Sequence, residues 1–246
     1  MSITTTTPEI DVAEKPPAVI AHRGASRAAR ENTIEAFETA VRMGADGIEL
    51  DVRRTADGLL AVHHDARTRG GELIMAKSLR QLEAGGDPAI DIIDLATALE
   101  KCGDLMVNVE IKNNAGDPDH DPVAAIVSPV LEVLEQFGRP HQILVSSFDL
   151  GTIDRVRSES DLRTAFLVDR GDPTALLRTC VDHGHDVIHP WDRLVDEVFV
   201  AQAKALDLEI NVWTVDDPAR MRQLAQLGVD GVVTNVPDIA ISVLRD

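Results

Sequence analysis

The strongest constraint on this chain is an alternation that begins at Ala18 and runs almost to its end. Short apolar segments at 19–22, 47–52, 106–112, 143–148, 164–168, 186–190, 209–215 and 231–234 read as strands, and helical patterns lie between them. Residues 33–43 put Ala36, Phe37, Ala40 and Val41 on one helix face, with Asn32 as the expected N-cap. Asp172-Pro173 and Asp217-Pro218 each set a capping Asp before a Pro at the first helical position. Gly44, Gly138, Gly184 and Gly228 end helices or follow them closely. Strands alternating with helices imply a parallel sheet with helices over it. Eight such units in a chain of 246 residues favour a closed (β/α)₈ TIM barrel over an open doubly wound sheet. No Gly-x-Gly-x-x-Gly follows the first strand, so a dinucleotide site has no direct support.

One segment breaks the alternation. Residues 59–64 look like a strand, yet only Asp57-Gly58 separates them from the second strand. A parallel crossover needs about a dozen residues, and Asp-Gly between strand-like runs signals a hairpin. The second strand is therefore expected to overshoot the barrel mouth and fold back. Residues 66–100 would form a small cap, and 53–105 as a whole a hairpin-and-cap insertion. Residues 1–17 carry Thr4–Thr7, scattered charge and a Pro pair but no apolar signal core, and read as a flexible tail. The barrel then occupies 18–246. No apolar run reaches the roughly 18–20 residues of a membrane span, and the protein reads as cytoplasmic. Cys102 and Cys180 fit no metal or redox spacing and read as buried small hydrophobes.

Composition matters for the partner. A net charge of -18, with aromatics at 3% and no Tyr, argues against nucleic acid and anionic membrane surfaces. The same field repels any phosphate-bearing substrate, so a phosphate site would need local positive charge.

Side chains two apart on a strand share a face. In 47–52, Ile48, Leu50 and Val52 suit the side under the helices, while Glu49 and Asp51 share the other. In 107–112, Val107, Val109 and Ile111 go one way and Asn108, Glu110 and Lys112 the other. Barrel sites lie where strands end, so three carboxylates are expected near one point. Without compensation at least one would take up a proton. A hard divalent cation resolves the crowding, and all-oxygen ligation favours Mg²⁺ or Ca²⁺. A two-residue loop at Asp57-Gly58 would pair Ala56 with Leu59, setting His64 opposite Asp51 and turning His63 away. His22 ends the first strand at the same rim. Two imidazoles there suit general acid–base work, and nearby carboxylates should favour their protonated forms. Arg23 and Lys112 supply the local positive charge.

These pieces together resemble the glycerophosphodiester phosphodiesterase family. The resemblance rests on His22-Arg23-Gly24, Glu31-Asn32-Thr33, Gly44 to Val52, and Asp57-Gly58 to His64-Asp65. Asn108 to Lys112, Asn211 to Val215 and Gly228 to Asn235 extend it along the chain. It implies a barrel enzyme that hydrolyses small glycerophosphodiesters to sn-glycerol 3-phosphate and an alcohol. It implies Glu49, Asp51 and Glu110 as metal ligands and His22 and His64 as acid and base. Arg23 and Lys112 would hold phosphate oxygens, and Phe148 and Trp213 would line the pocket. Departures from the family pattern fall at Ala66 to Gly71, Arg30 and Ile93 to Leu95, in mouth loops or the cap, where they bear on substrate choice. Two alternatives remain at this stage: a lysophospholipase D-type phosphodiesterase, which should carry an apolar cap, and a non-catalytic binding barrel. Arg67, Arg69, Glu72 and Lys77 make this cap polar. Neither head group nor oligomeric state is legible.

Overall fold

The structure, a computed structural model, describes residues 15–84 and 92–245. The predicted tail lies mostly outside the described residues.

The strands are β1 (Ala18–His22), β2 (Gly47–Arg54), β3 (Leu60–Val62), β4 (Met106–Ile111), β5 (Ile143–Ser147), β6 (Arg163–Val168), β7 (Val187–Pro190), β8 (Glu209–Val212) and β9 (Gly231–Thr234). All but β3 pair in parallel, and β1 pairs with both β9 and β2, so the sheet closes into an eight-stranded barrel. The helices are α1 (Ile34–Met43), α2 (Leu79–Glu83), α3 (Leu95–Lys101), α4 (Val127–Phe137), α5 (Leu150–Glu159), α6 (Pro173–Asp182), α7 (Glu197–Ala205), α8 (Pro218–Leu227) and α9 (Pro237–Arg245). Asp172 and Asp217 cap α6 and α8 with Pro at the first helical positions, as their dipeptides predict.

The period of two decides which residues face which layer. Ile48, Leu50, Val107, Val109 and Ile111 pack with Phe37 of α1, Leu99 of α3 and Val130 of α4 in one apolar cluster. Ile188, Ile210, Val212 and Val232 pack with Leu177, Phe199 and Met221 on the other side of the ring. Full burial of each large side chain contributes roughly 1.5–3 kcal/mol, so this layer dominates the stability. The inner face starts with an apolar plug, where Leu144, Ala165 and Val187 meet Met106. Above it the interior turns polar, with Glu49, Asn108, Ser146, His189 and Asn211 all buried. At Gly231 a Cβ would stand 2.2 Å from Asn211 Oδ1. Glycine there is what lets the Asn211 amide fit inside the barrel.

Three details differ from the sequence reading. First, the N-cap of α1 is Thr33, whose hydroxyl accepts from Ala36 N. Asn32 instead adopts φ 57° and turns its amide to Asp51. Second, α3 is not part of a cap: Leu95, Ala98 and Leu99 belong to the outer apolar layer with α1 and α4. Cap structure within the described residues is confined to a short helical turn at Ile74–Ala76 and to α2, over a small apolar cluster of Ala61, Ile74, Leu79, Leu82 and Ile92. Third, the hairpin forms, but with a three-residue loop. Thr55 N–H donates to Leu59 O and Gly58 N–H to Thr55 O, with Gly58 at φ 80°. A turn closed by a left-handed glycine is the usual three-residue solution. The register becomes Val52↔Val62, so His63, not His64, follows opposite Asp51, and its N–H donates to Asp51 O.

Cys102 and Cys180 are buried and unpaired, and burial pushes both thiols up to about 12. Among the described residues no helix is long and apolar enough to cross a membrane.

Candidate active site

The polar inner layer opens at the C-terminal ends of the strands into a cavity of about 210 Å³. Eight of the nine side chains singled out from the sequence line it: His22, Arg23, Glu49, His64, Glu110, Lys112, Phe148 and Trp213. Asp51, the ninth, is fully buried beside them.

Parallel pairing brings the carboxylates together. His22 stands level with Glu49, Glu49 with Asn108, and Asp51 with Glu110 across neighbouring strands. Glu49, Asp51 and Glu110 each offer an oxygen within 4.8 Å of the others. Asp51 is held from several sides: Lys112 Nζ at 2.9 Å, Arg23 Nε at 3.2 Å, and an Asn32 Nδ2 donor at 2.7 Å. Lys112 also reaches Glu110. The Arg23 backbone N–H donates to Glu49 Oε2 at 2.9 Å, using the left-handed turn that begins at Arg23 (φ 57°). The local positive charge demanded by the acidic composition is therefore present.

Burial splits the three acids. It pushes Glu49 well above the usual carboxylate range, and the charges of Asp51 and Glu110 add to the rise. It also raises Glu110, against the pull of Lys112. Burial acts on Asp51 in the same sense, but Lys112 and Arg23 outweigh it and hold that carboxyl far below its ordinary value. One anion is thus secured by fixed cations, while two acids are driven toward protonation first by burial and then by the crowding that the sequence reading expects.

The imidazoles do not follow that reading. Carboxylates were expected to favour their charged forms, yet both are lowered. Burial, helped by Arg23, takes His22 down to about 4. Burial also lowers His64, outweighing the opposite pull of Asp51. The carboxylates' charge is already neutralised by Arg23 and Lys112, so desolvation decides.

Each imidazole has a defined orientation. His22 Nδ1 lies 2.7 Å from Asn235 Oδ1. The Asn235 amide is fixed in that sense because its Nδ2 donates to Asp216 Oδ2 at 2.8 Å. His22 Nδ1 therefore carries the hydrogen and Nε2 the lone pair. Nε2 stands 3.9 Å from Glu49 Oε2. His64 Nδ1 pairs with Asp65 Oδ1 at 2.8 Å at the half-exposed rim. His64 reaches the cavity because β3 ends at Val62, freeing the chain from the ladder whose alternation would have turned it away.

The sequence reading missed three supports. Asn235 and Asp216 orient His22. Arg53, 3% exposed, donates from Nε to His64 O, from Nη1 to both oxygens of Asp119, and from Nη2 to Asp117. It ties the His64 turn to the loop after β4. Its place on the inner face of β2, two beyond Asp51, was the available signal; its carboxylate partners lie more than 60 residues away. His189, fully buried and pushed down to about 3 by burial, also lines the cavity. Phe148 and Trp213 line the same cavity, edge to face at 5.4 Å, with Trp213 Nε1 donating to His189 O.

The donor set suits a hard cation. All the ligand atoms on offer are carboxylate oxygens, and Glu49 Oε1 is buried without a hydrogen-bond partner, as is Asn108 Oδ1 beside it. Buried unpaired oxygens are costly unless something positive meets them.

Comparison with known proteins gives a consistent result. A sequence model of the "Glycerophosphoryl diester phosphodiesterase family" matches residues 22–239. A glycerophosphodiester phosphodiesterase of Caldanaerobacter subterraneus is 30% identical over 244 residues, covering 92% of this chain and 97% of that one. One of Bacillus altitudinis is 30% identical, covering 93% and 98%. The crystal structure of the glycerophosphodiester phosphodiesterase of Thermotoga maritima superposes with a TM-score of 0.78 at 26% identity, covering 93% of this chain and 99% of that one.

Proposed function

The chain belongs to the glycerophosphoryl diester phosphodiesterase family, and from that premise we propose that it hydrolyses glycerophosphodiesters to sn-glycerol 3-phosphate and an alcohol, by two-histidine acid–base chemistry at a divalent-cation site. The observation that carries this reading is the convergence in one cavity of three buried carboxylates and two imidazoles of defined orientation.

Glu49, Asp51 and Glu110 would hold the cation, and all-oxygen ligation favours Mg²⁺ or Ca²⁺. When bound, the ion supplies Lewis-acid stabilisation of charge on the phosphoryl oxygens. Everything else falls to the chain. His22 is the base: its Nε2 lone pair faces the cavity and takes the proton of the attacking hydroxyl, from water directly, or from the glycerol 2-position to give a cyclic phosphate that a water then opens to glycerol 3-phosphate with the two histidines in exchanged roles. His64 is the acid, with Asp65 on Nδ1 stabilising the imidazolium. As the attacking oxygen bonds to phosphorus, the bond to the leaving oxygen breaks and that oxygen receives the His64 proton. Arg23 and Lys112 hold phosphate oxygens, offsetting the repulsion of the acidic molecule. Phe148 and Trp213 wall the pocket and exclude water from one side.

The test is a coupled assay of glycerol 3-phosphate release over choline, ethanolamine, inositol and glycerol head groups, with and without chelator. Release that chelator abolishes and Mg²⁺ or Ca²⁺ restores is expected. No turnover of any of these diesters with Mg²⁺, Ca²⁺ or Mn²⁺ supplied would overturn the reading.

A further inference from the structure

We propose that Asp154, His183 and His185 form a second divalent-cation site, suited to a borderline ion such as Zn²⁺, Co²⁺ or Ni²⁺, near the end of the barrel where the strands begin. It stands independently of the hydrolytic reading, because it shares no residue with the cavity above.

The site is built from α5 and the α6–β7 connection. His183 is the C-cap of α6, and Gly184 follows at φ 75°. The left-handed φ at Gly184 favours glycine, and a Cβ there would also displace the Arg157 guanidinium, 2.9 Å away. The turn brings both imidazoles to one side, with centroids 6.2 Å apart and planes 16° from parallel. Both aim at one carboxylate. His183 Nδ1 lies 2.9 Å from each Asp154 oxygen, and His185 Nε2 lies 3.1 Å from Oδ1. The three donor atoms fall within 4.8 Å of one another. A tetrahedral ion with bonds of about 2.0–2.1 Å holds its ligand atoms about 3.3 Å apart. The two nitrogen–oxygen spacings need only a few tenths of an ångström to receive one, and the two nitrogens lie within 4.8 Å of each other.

Three further features fit an ion. The ring nitrogen of His185 that faces away, Nδ1, meets Thr164 Oγ1 at 2.9 Å. That is the outer partner a ligating imidazole requires. The hydroxyl can donate or accept, so His185 can pass from giving Nε2–H to Asp154 to giving Nδ1–H to Thr164. His183 can move its proton to Nε2 in the same way, so neutral imidazoles become ligands without losing a proton to solvent. His185 is sealed inside, while Asp154 and His183 are each more than one-third exposed, which leaves an entry path and an open position for water. The Arg157 charge beside the turn is offset by Asp186, 3.6 Å away. Two nitrogens and one oxygen select differently from the three oxygens at the rim, so the two sites separate by ion type.

An ion here would tie α5 to the connection between α6 and β7. The test is equilibrium dialysis of Zn²⁺ in excess Mg²⁺, with melting temperature read in parallel, on wild type, His183→Ala and Asp154→Asn. Asp154→Asn keeps the volume of the carboxylate and guards against loss of fold in the other variant. Wild type should hold one more equivalent of Zn²⁺ than either variant, and only wild type should gain melting temperature with Zn²⁺. Turnover with Mg²⁺ should stay within twofold in His183→Ala. Equal zinc stoichiometry, or an equal zinc-dependent rise in melting temperature, in wild type and both variants would overturn the proposal.

Discussion

Among the described residues the barrel carries two clusters of potential ligands, and they are opposites. At the rim, Glu49, Asp51 and Glu110 are almost wholly buried, and their oxygens outnumber their donors. Near the other end, Asp154, His183 and His185 satisfy one another, and two of the three are open to solvent. The first arrangement drives two carboxyls toward protonation; in the second each imidazole already faces a carboxylate oxygen. A polar cluster that cannot satisfy itself in a dry place costs stability, and such strain is characteristic of sites that act on something else. A self-satisfied cluster costs little and can serve the fold until an ion takes the place of its internal hydrogen bonds. In barrels of this kind the rim carries chemistry and the opposite face carries stability.

The largest effects should separate the two ends by rate. His22→Ala and His64→Ala should each lower kcat by about 10²–10⁴, measured in the glycerol 3-phosphate assay. Activity within threefold of wild type would remove that histidine from the reaction. Arg53 should break the simple division, because it supports both fold and site. Arg53→Ala strands Asp119 and should cost about 3–5 kcal/mol in urea unfolding, as loss of one partner of a buried ion pair does. A loss below 1 kcal/mol would mean that the His64 turn and the loop after β4 hold without it. Asn235→Ala should lower kcat about 10–100-fold through a misaligned His22, with little change in KM. A change confined to KM would contradict an orienting role.

The smallest of these effects concerns pH. His189 and His22 are buried neutral, at about 3 and about 4, against about 6.5 in the unfolded chain. Above pH 6.5 neither state binds these protons and nothing changes. As pH falls below 6.5 the unfolded chain takes them up and the native chain does not, so stability falls until the native values are passed. At pH 4.5 the His189 contribution should be on the order of 2 kcal/mol, and His189→Gln should melt with a flatter pH dependence between 6.5 and 4.5. An unchanged slope would mean that the unfolded state does not drive the effect.

Much of this was legible in the sequence. Glu49 and Asp51 declared their face because Ile48, Leu50 and Val52 alternate with them, and Glu110 did the same among Val107, Val109 and Ile111. The Asp-Pro pairs fixed the starts of α6 and α8. Reading failed where a count over distance was needed. One extra residue in the Ala56–Gly58 loop shifted the hairpin register. His64 reaches the cavity by leaving the ladder, not by the register that was expected to bring it there. Residues 95–100 were assigned to the cap with the rest of 66–100, because the break in the alternation does not show where the insertion ends and the outer helical layer resumes.

The sequence by itself determined the barrel, its inner and outer faces and the ends of most helices, because those follow from covalent spacing: a period of two, a period of 3.6, and caps within a turn of the residues they serve. The tertiary structure alone decided that Lys112 and Arg23 secure Asp51 rather than Glu49, that burial overrides carboxylate attraction at both imidazoles, and that Arg53 and Asn235 hold the two histidines. Those outcomes depend on distances between segments far apart in the chain and on how completely water is excluded around them, and neither is written in local periodicity.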